Sequence, residues 1–167
     1  MAILPLRPRA FSVAELTVTA LVVLLLSAIA TVTWFGMRDR GEDSLAQTAL
    51  NNLEIVQRFQ VRDYGRYITS PPALSSVEPS YTYVGPDTPL QPDSEGVVSI
   101  GPDGAGVAMA AMSRSGMCYS IVLPHPDSGG DAVTNMWHVD EADHNTACNA
   151  ATAVQRKNSP TPWGVDR

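Results

Sequence analysis

Residues 16–35 carry no charged side chain. As a helix these twenty residues span about 30 Å, the thickness of a bilayer's hydrocarbon core. A run of this length has few options in a chain of 167 residues. Its length and composition match a membrane span. One acid, Glu15, stands immediately before it, and residues 1–10 carry two arginines and no acid. Arginines on the N-terminal flank predict that this end lies in the cytoplasm and the remainder outside. A secretory signal would place a small-residue cleavage site after the apolar stretch. Here no clean Ala-x-Ala-like site follows before Trp34, and the small residue Ala10 comes first. The plainest reading is a signal anchor. An acid inside such a segment is expensive unless it finds a partner, so Glu15 is a candidate functional residue.

The chain beyond residue 35 suits one modest extracytoplasmic domain. The net charge is −6. Removing Arg7 and Arg9 leaves 9 basic against 17 acidic side chains, or −8. That balance argues against nucleic acid as a direct ligand. Cys118 and Cys148 are the two cysteines. In an exported domain an even count reads as a disulfide, and in a cytosolic one as two thiols. The membrane segment selects export. A bond between them closes a loop of about 31 residues, worth about 3–4 kcal/mol in the chain-entropy model.

Residues 38–64 read as a helix that continues out of the membrane. Leu45, Ala49, Leu53, Val56 and Phe59 recur on one face. Gln47, Asn51, Glu54 and Arg58 fall elsewhere. Gly65 is placed to stop the helix as a left-handed cap. Residues 11–64 are therefore expected to form one long helix. Residues 68–78, with Ser70-Pro71-Pro72, read as an irregular loop. Strand signals come next at residues 81–84, 97–100, 107–112, 117–123 and 136–139, separated by turn residues that include Gly101-Pro102-Asp103-Gly104. These predict a meander of about four or five antiparallel strands, covered on one face by the helix. The tail beyond Asn149 is Ala-rich to Val154 and then polar. The fold class is α+β.

The stretch Arg9-Ala10-Phe11-Ser12-Val13-Ala14-Glu15-Leu16 resembles the class III signal of type IV pilins and pseudopilins. The resemblance is specific over residues 7–35. It implies a leader at 1–10, an assembly half of the long helix at 11–35 and an extracytoplasmic head at 36–167. It implies that prepilin peptidase cuts between Ala10 and Phe11, that Phe11 becomes N-methylated, and that Glu15 is the assembly glutamate. The new Phe11 amine and Glu15 are opposite charges in a low-dielectric bundle, and leaving either unpaired is costly. Implied partners are sister pilin subunits, the prepilin peptidase, an inner-membrane platform, an assembly ATPase and the membrane itself. Ala10 stands where Gly is commoner, and Val32 where many filament-forming members carry Pro. The Cys118–Cys148 bond matches the disulfide-bounded region of many pilins. Minor pilin and type II secretion pseudopilin are the alternatives within the family. A membrane-anchored binding domain without assembly is the alternative outside it.

No cofactor is implied, and no nucleophile-elbow, zincin or phosphate-loop motif suggests an enzyme. The acids Asp87, Asp93, Glu95 and Asp103 are weak calcium candidates in turn-rich loops without EF-hand spacing, and solvated turn residues are the plainer reading. Asp127, Asp131, Asp140 and Asp143 are weaker still. His125, His138 and His144 read as exposed or structural. Trp34 and Phe35 stand where an interfacial aromatic belt belongs.

Overall fold

The computed structural model describes residues 12–139, 147–158 and 161; for residues 31–40, 42 and 138 it describes the backbone alone. Its first element is the helix α1, Val13–Tyr64, 52 residues long. By internal contacts the chain divides into two units, Met1–Arg38 and Asp39–Arg167. The described part of the first is the apolar helix, which includes Val13–Ala30 at mean hydropathy 2.3. The second is an α+β head.

Within the head, α1 ends where its sequence says it should. Gly65 takes φ 71°, a left-handed conformation that glycine adopts without a Cβ clash. Its N–H bonds the carbonyl of Val61 at 2.8 Å. The buried stripe is rotated from the expected one. Ala46, Leu50, Leu53 and Gln57 face inward, with Ala49 also buried. Of the expected face, Ala49 and Leu53 are buried and Val56 packs partly against the core. Leu45 and Phe59 are instead 57% and 53% exposed. The cause is Gln57. A hydrophobic stripe cannot count a glutamine as core, yet its amide is bonded at both ends. Its Nε2 donates to the Ile68 carbonyl at 2.7 Å, and its Oε1 accepts from the Ile68 N–H at 2.9 Å. A buried polar group paired this way carries little penalty.

Residues expected as loop hold a second helix, α2, Pro71–Val77. Pro71 and Pro72 stand at its first positions, where a missing N–H deprives no helical bond. It presents Leu74, fully buried, to the same core as α1.

Five strands come next: β1 Thr82–Val84, β2 Val97–Asp103, β3 Gly106–Met112, β4 Met117–Leu123 and β5 Val133–His138. They form one sheet in the order β1-β2-β3-β4-β5. The last three pairings are antiparallel, but β1 pairs β2 in parallel through Thr82↔Val97. The expected all-antiparallel meander is thus corrected at its first strand. A parallel pair needs a crossover, and residues 85–96 supply one. A second correction concerns the expected turn at Gly101. Gly101, Pro102 and Asp103 belong to β2, paired with Ala108, Val107 and Gly106. Pro102 is tolerated because β1 pairs only as far as Ser99, so no neighbour on that side calls for its absent N–H. Gly101 is required by crowding: a Cβ there would lie 2.4 Å from the Cβ of Pro86.

Every residue of β3 and β4 is buried, so the sheet is covered on both faces and not on one. The first face packs Ile100, Met109, Ile121 and Leu123 against Leu50, Leu53 and Leu74. Each such side chain contributes about 1.5–3 kcal/mol on burial. The second face sets the small residues Ala108 and Ala110 beside Met112, Val122 and Trp137. Against it lies a third helix, α3, Ala150–Arg156, through Ala150 and Ala153. With alanine on both sides the helix approaches closely. Asn149 caps α3 by accepting from Thr152 N–H at 2.8 Å. Ser99 on β2 receives the Ala150 N–H at 3.0 Å and donates to the Gly85 carbonyl at 2.9 Å. The disulfide Cys118–Cys148, with Cα atoms 5.4 Å apart, fixes the start of this segment to β4. Leu90 from the crossover bridges to Cys148 and buries itself in the same layer.

Candidate functional site

The first unit offers an apolar surface with one carboxylate. Leu16, Leu21, Leu24, Leu26 and Ile29 are all at least 60% exposed, and none of the Val13–Ala30 window is buried by the rest of the chain. Apolar area on this scale marks a surface that something else covers, a membrane or another protein. The hydroxyls of Thr17, Thr19 and Ser27 bond within the helix. Thr17 donates to the Ala14 carbonyl at 2.9 Å, Thr19 to that of Glu15 at 2.8 Å and Ser27 to that of Val23 at 2.7 Å. Returned to the backbone, these groups need no water, which suits a helix in lipid or in a bundle.

Glu15 has a local partner. Its Oε2 accepts the Ser12 N–H at 2.9 Å, while Ser12 Oγ accepts the Glu15 N–H at 3.2 Å. This reciprocal pair is a capping box, satisfying two of the donors that every helix start leaves open. The carboxylate also sits where the helix dipole favours negative charge. A search for charges and apolar periodicity misses Ser12, although Ser-x-x-Glu ahead of an apolar run is the motif's signature. The processing residues Ala10 and Phe11 lie outside the described residues. So do the side chains of Trp34, Phe35 and His138, and residues Asp140, Asp143 and His144.

The head does not gather the weak calcium candidates into a cage. Among the described residues no group of three or more His, Cys, Asp or Glu converges. Asp103 pairs with Lys157 at 2.6 Å and Glu95 with Arg114 at 3.1 Å. Asp87 and Asp93 are exposed turn residues, as is Asp127 in the short helical turn Pro126–Ser128. His125 Nδ1 accepts the Asp127 N–H at 3.3 Å, a local cap. Asp131 is exposed.

Two phenols report on the interior of the head. Burial pushes Tyr83 well above the usual phenol range, helped by the nearby Glu78 carboxylate and Tyr81; its hydroxyl donates to the Glu78 carbonyl at 2.9 Å. Tyr67 is also raised by burial, against the opposing pull of Arg58, and it donates to the Pro124 carbonyl at 3.0 Å.

Two surface features of the head were not legible as sites. One is a groove of about 410 Å³ between α1 and the ends of β2 and β3, walled by Leu45, Ala49, Val97, Ala111 and Met112. The other is the outward face of α1, where Ile55 and Phe59 are 55% and 53% exposed. Compared with protein-family models, with curated proteins and with solved structures, the chain finds no match.

Proposed function

We propose that this chain is a type IV pilin-like structural subunit. On this reading it is inserted with residues 1–10 in the cytoplasm, cut by prepilin peptidase after Ala10, methylated on Phe11 and assembled into a filament through its N-terminal helix. The head is then extracytoplasmic, consistent with its disulfide. Its role is structural and not catalytic. The partners are sister subunits, the peptidase, a membrane platform and its ATPase. Minor pilin and type II secretion pseudopilin are variants of the same reading.

One observation supports it: an apolar helix whose Val13–Ala30 window has no buried residue among the described residues, headed by the carboxylate of Glu15. A plain anchor explains the apolar surface and gives the acid the role of a cap alone. In a filament, Glu15 meets the cationic amine of a neighbour's Phe11, and the charge is neutralised where water is scarce.

The capping box favours a second reading of Glu15, as a helix cap on a membrane-anchored domain without assembly. Glu15→Gln separates the two. Glutamine keeps the capping box, since its amide oxygen still accepts the Ser12 N–H. It removes the charge. An unpaired ion inside the membrane costs about 2.5–3.5 kcal/mol on insertion scales, so incorporation into sheared filaments should fall by about a hundredfold. Wild-type incorporation of Glu15→Gln would leave Glu15 as a cap alone. The mass of the exported N-terminus, with a methyl group on Phe11, tests the processing step independently.

A further inference from the structure

We propose that Thr161, set between Pro160 and Pro162, guards the outer edge of β5, and that this edge pairs with the β5 of a second copy once the guard is removed. The inference is independent of the filament reading.

An open sheet has two outer edges, and each presents N–H and C=O groups with which another chain can pair. Here the two edges differ. β1 closes one side with only three residues, and so short a strand is a poor template. β5 closes the other with six, the length of an ordinary strand. It includes the strand formers Val133, Thr134 and Trp137 and holds no Asp, Glu, Lys or Arg. Two antiparallel copies of it therefore set no like carboxylates or ammonium groups opposite each other.

Thr161 occupies this edge. Its carbonyl accepts the Met136 N–H at 2.9 Å, so the backbone of Met136 points away from β4. Thr134, two residues back, presents its N–H on the same side. The Thr161 N–H is not spent on a β5 carbonyl, as a regular ladder would require. It goes instead to the Oδ1 of Asn135, a side chain only 1% exposed, at 2.8 Å. The segment thus takes up an outward donor of β5 without adding a regular strand. Pro160 and Pro162 have no N–H in any conformation, so next to Thr161 the chain has no donor to offer a further strand. Without this cover the edge fits its own like. Antiparallel pairing of β5 with β5 is isologous: each copy gives and receives the same bonds, and the contact closes as a dimer.

The test compares the detergent-solubilised full chain with one ending at Asn158, which keeps α3 and the disulfide. Sedimentation reads association, and amide exchange reads the edge. The shortened chain is expected to form dimer, increasing with concentration, beyond any seen in wild type. At dilutions where it is monomeric, its Met136 amide should exchange about tenfold faster than in wild type. Thr134→Pro removes an outward donor of β5 and no bond to β4, so in the shortened chain it should restore wild-type sedimentation. Unchanged Met136 exchange on shortening would overturn the guard. Faster exchange without added dimer would overturn the second copy as occupant, and so would a dimer that survives Thr134→Pro. If near-ultraviolet circular dichroism shows the shortened chain unfolded, Thr161→Pro at full length deletes only the bond to Asn135. That variant should still show faster Met136 exchange and added dimer, and wild-type behaviour there overturns the proposal.

Discussion

Replacing Gln57 tests how the head is attached to its helix. Gln57 is fully buried and holds Ile68, eleven residues on, by both the N–H and the carbonyl. It therefore pins the chain that leaves Gly65 back onto α1. Gln57→Met conserves length and apolar fit but strands both Ile68 groups. Each unsatisfied group costs about 1–3 kcal/mol, and water reaches part of the half-buried Ile68, so the net loss should be about 2–3 kcal/mol. Gln57→Glu sharpens the test. A protonated carboxyl at this position can still donate to the Ile68 carbonyl and accept its N–H, whereas an ionised one cannot donate and is buried as a charge. Burial raises the folded-state value above the ordinary glutamate value of about 4.3. The stability of this variant should therefore approach wild type below about pH 4 and fall as pH rises through that higher folded-state value. The assay is urea unfolding of the detergent-solubilised chain, followed by near-ultraviolet circular dichroism at several pH values. A Gln57→Met loss under about 1 kcal/mol, or a Gln57→Glu stability independent of pH, would refute the view that this amide is a matched core group.

Reducing the Cys118–Cys148 bond, or replacing both cysteines by serine, should lower head stability by about 3–4 kcal/mol for a closed loop of this size. The same urea titration reads this, and an unchanged midpoint would mean that the start of α3 is held without the bond. In alkali, the neutral phenols of Tyr67 and Tyr83 are protected by burial while their unfolded counterparts ionise near the ordinary value of 10.0. Their contribution should be intact below about pH 10 and decline as pH rises above it. Absorbance at the phenolate band should show part of the tyrosine signal lagging behind the rest, and a single ordinary titration would contradict this burial.

The core strands were readable because their signal is local. Met117–Leu123 sets Tyr119, Ile121 and Val122 in an apolar-rich run between turn residues, and β4 occupies those same seven positions. Gly65 was readable for a similar reason, since a positive φ at a helix end selects glycine. Glu15 was readable as an oddity, and its partner Ser12 was readable too, from the Ser-x-x-Glu spacing ahead of an apolar run. The outward ridge and the groove were not readable as sites. Leu45 and Phe59 have the same hydrophobicity whether they face the sheet or the solvent.

By itself the sequence determined the elements whose causes lie within a few residues: an apolar span headed by one carboxylate, a helix running to Gly65, and strands between turns. Tertiary structure decided what depends on residues far apart. It chose which stripe of α1 is buried, because Ile68 satisfies Gln57. It set β1 parallel to β2, with the crossover's Leu90 buried in the layer under α3. It covered the second face of the sheet, because alanines on α3 and on β3 permit close approach. Such choices rest on pairings between distant groups, and periodicity along the chain carries no record of them.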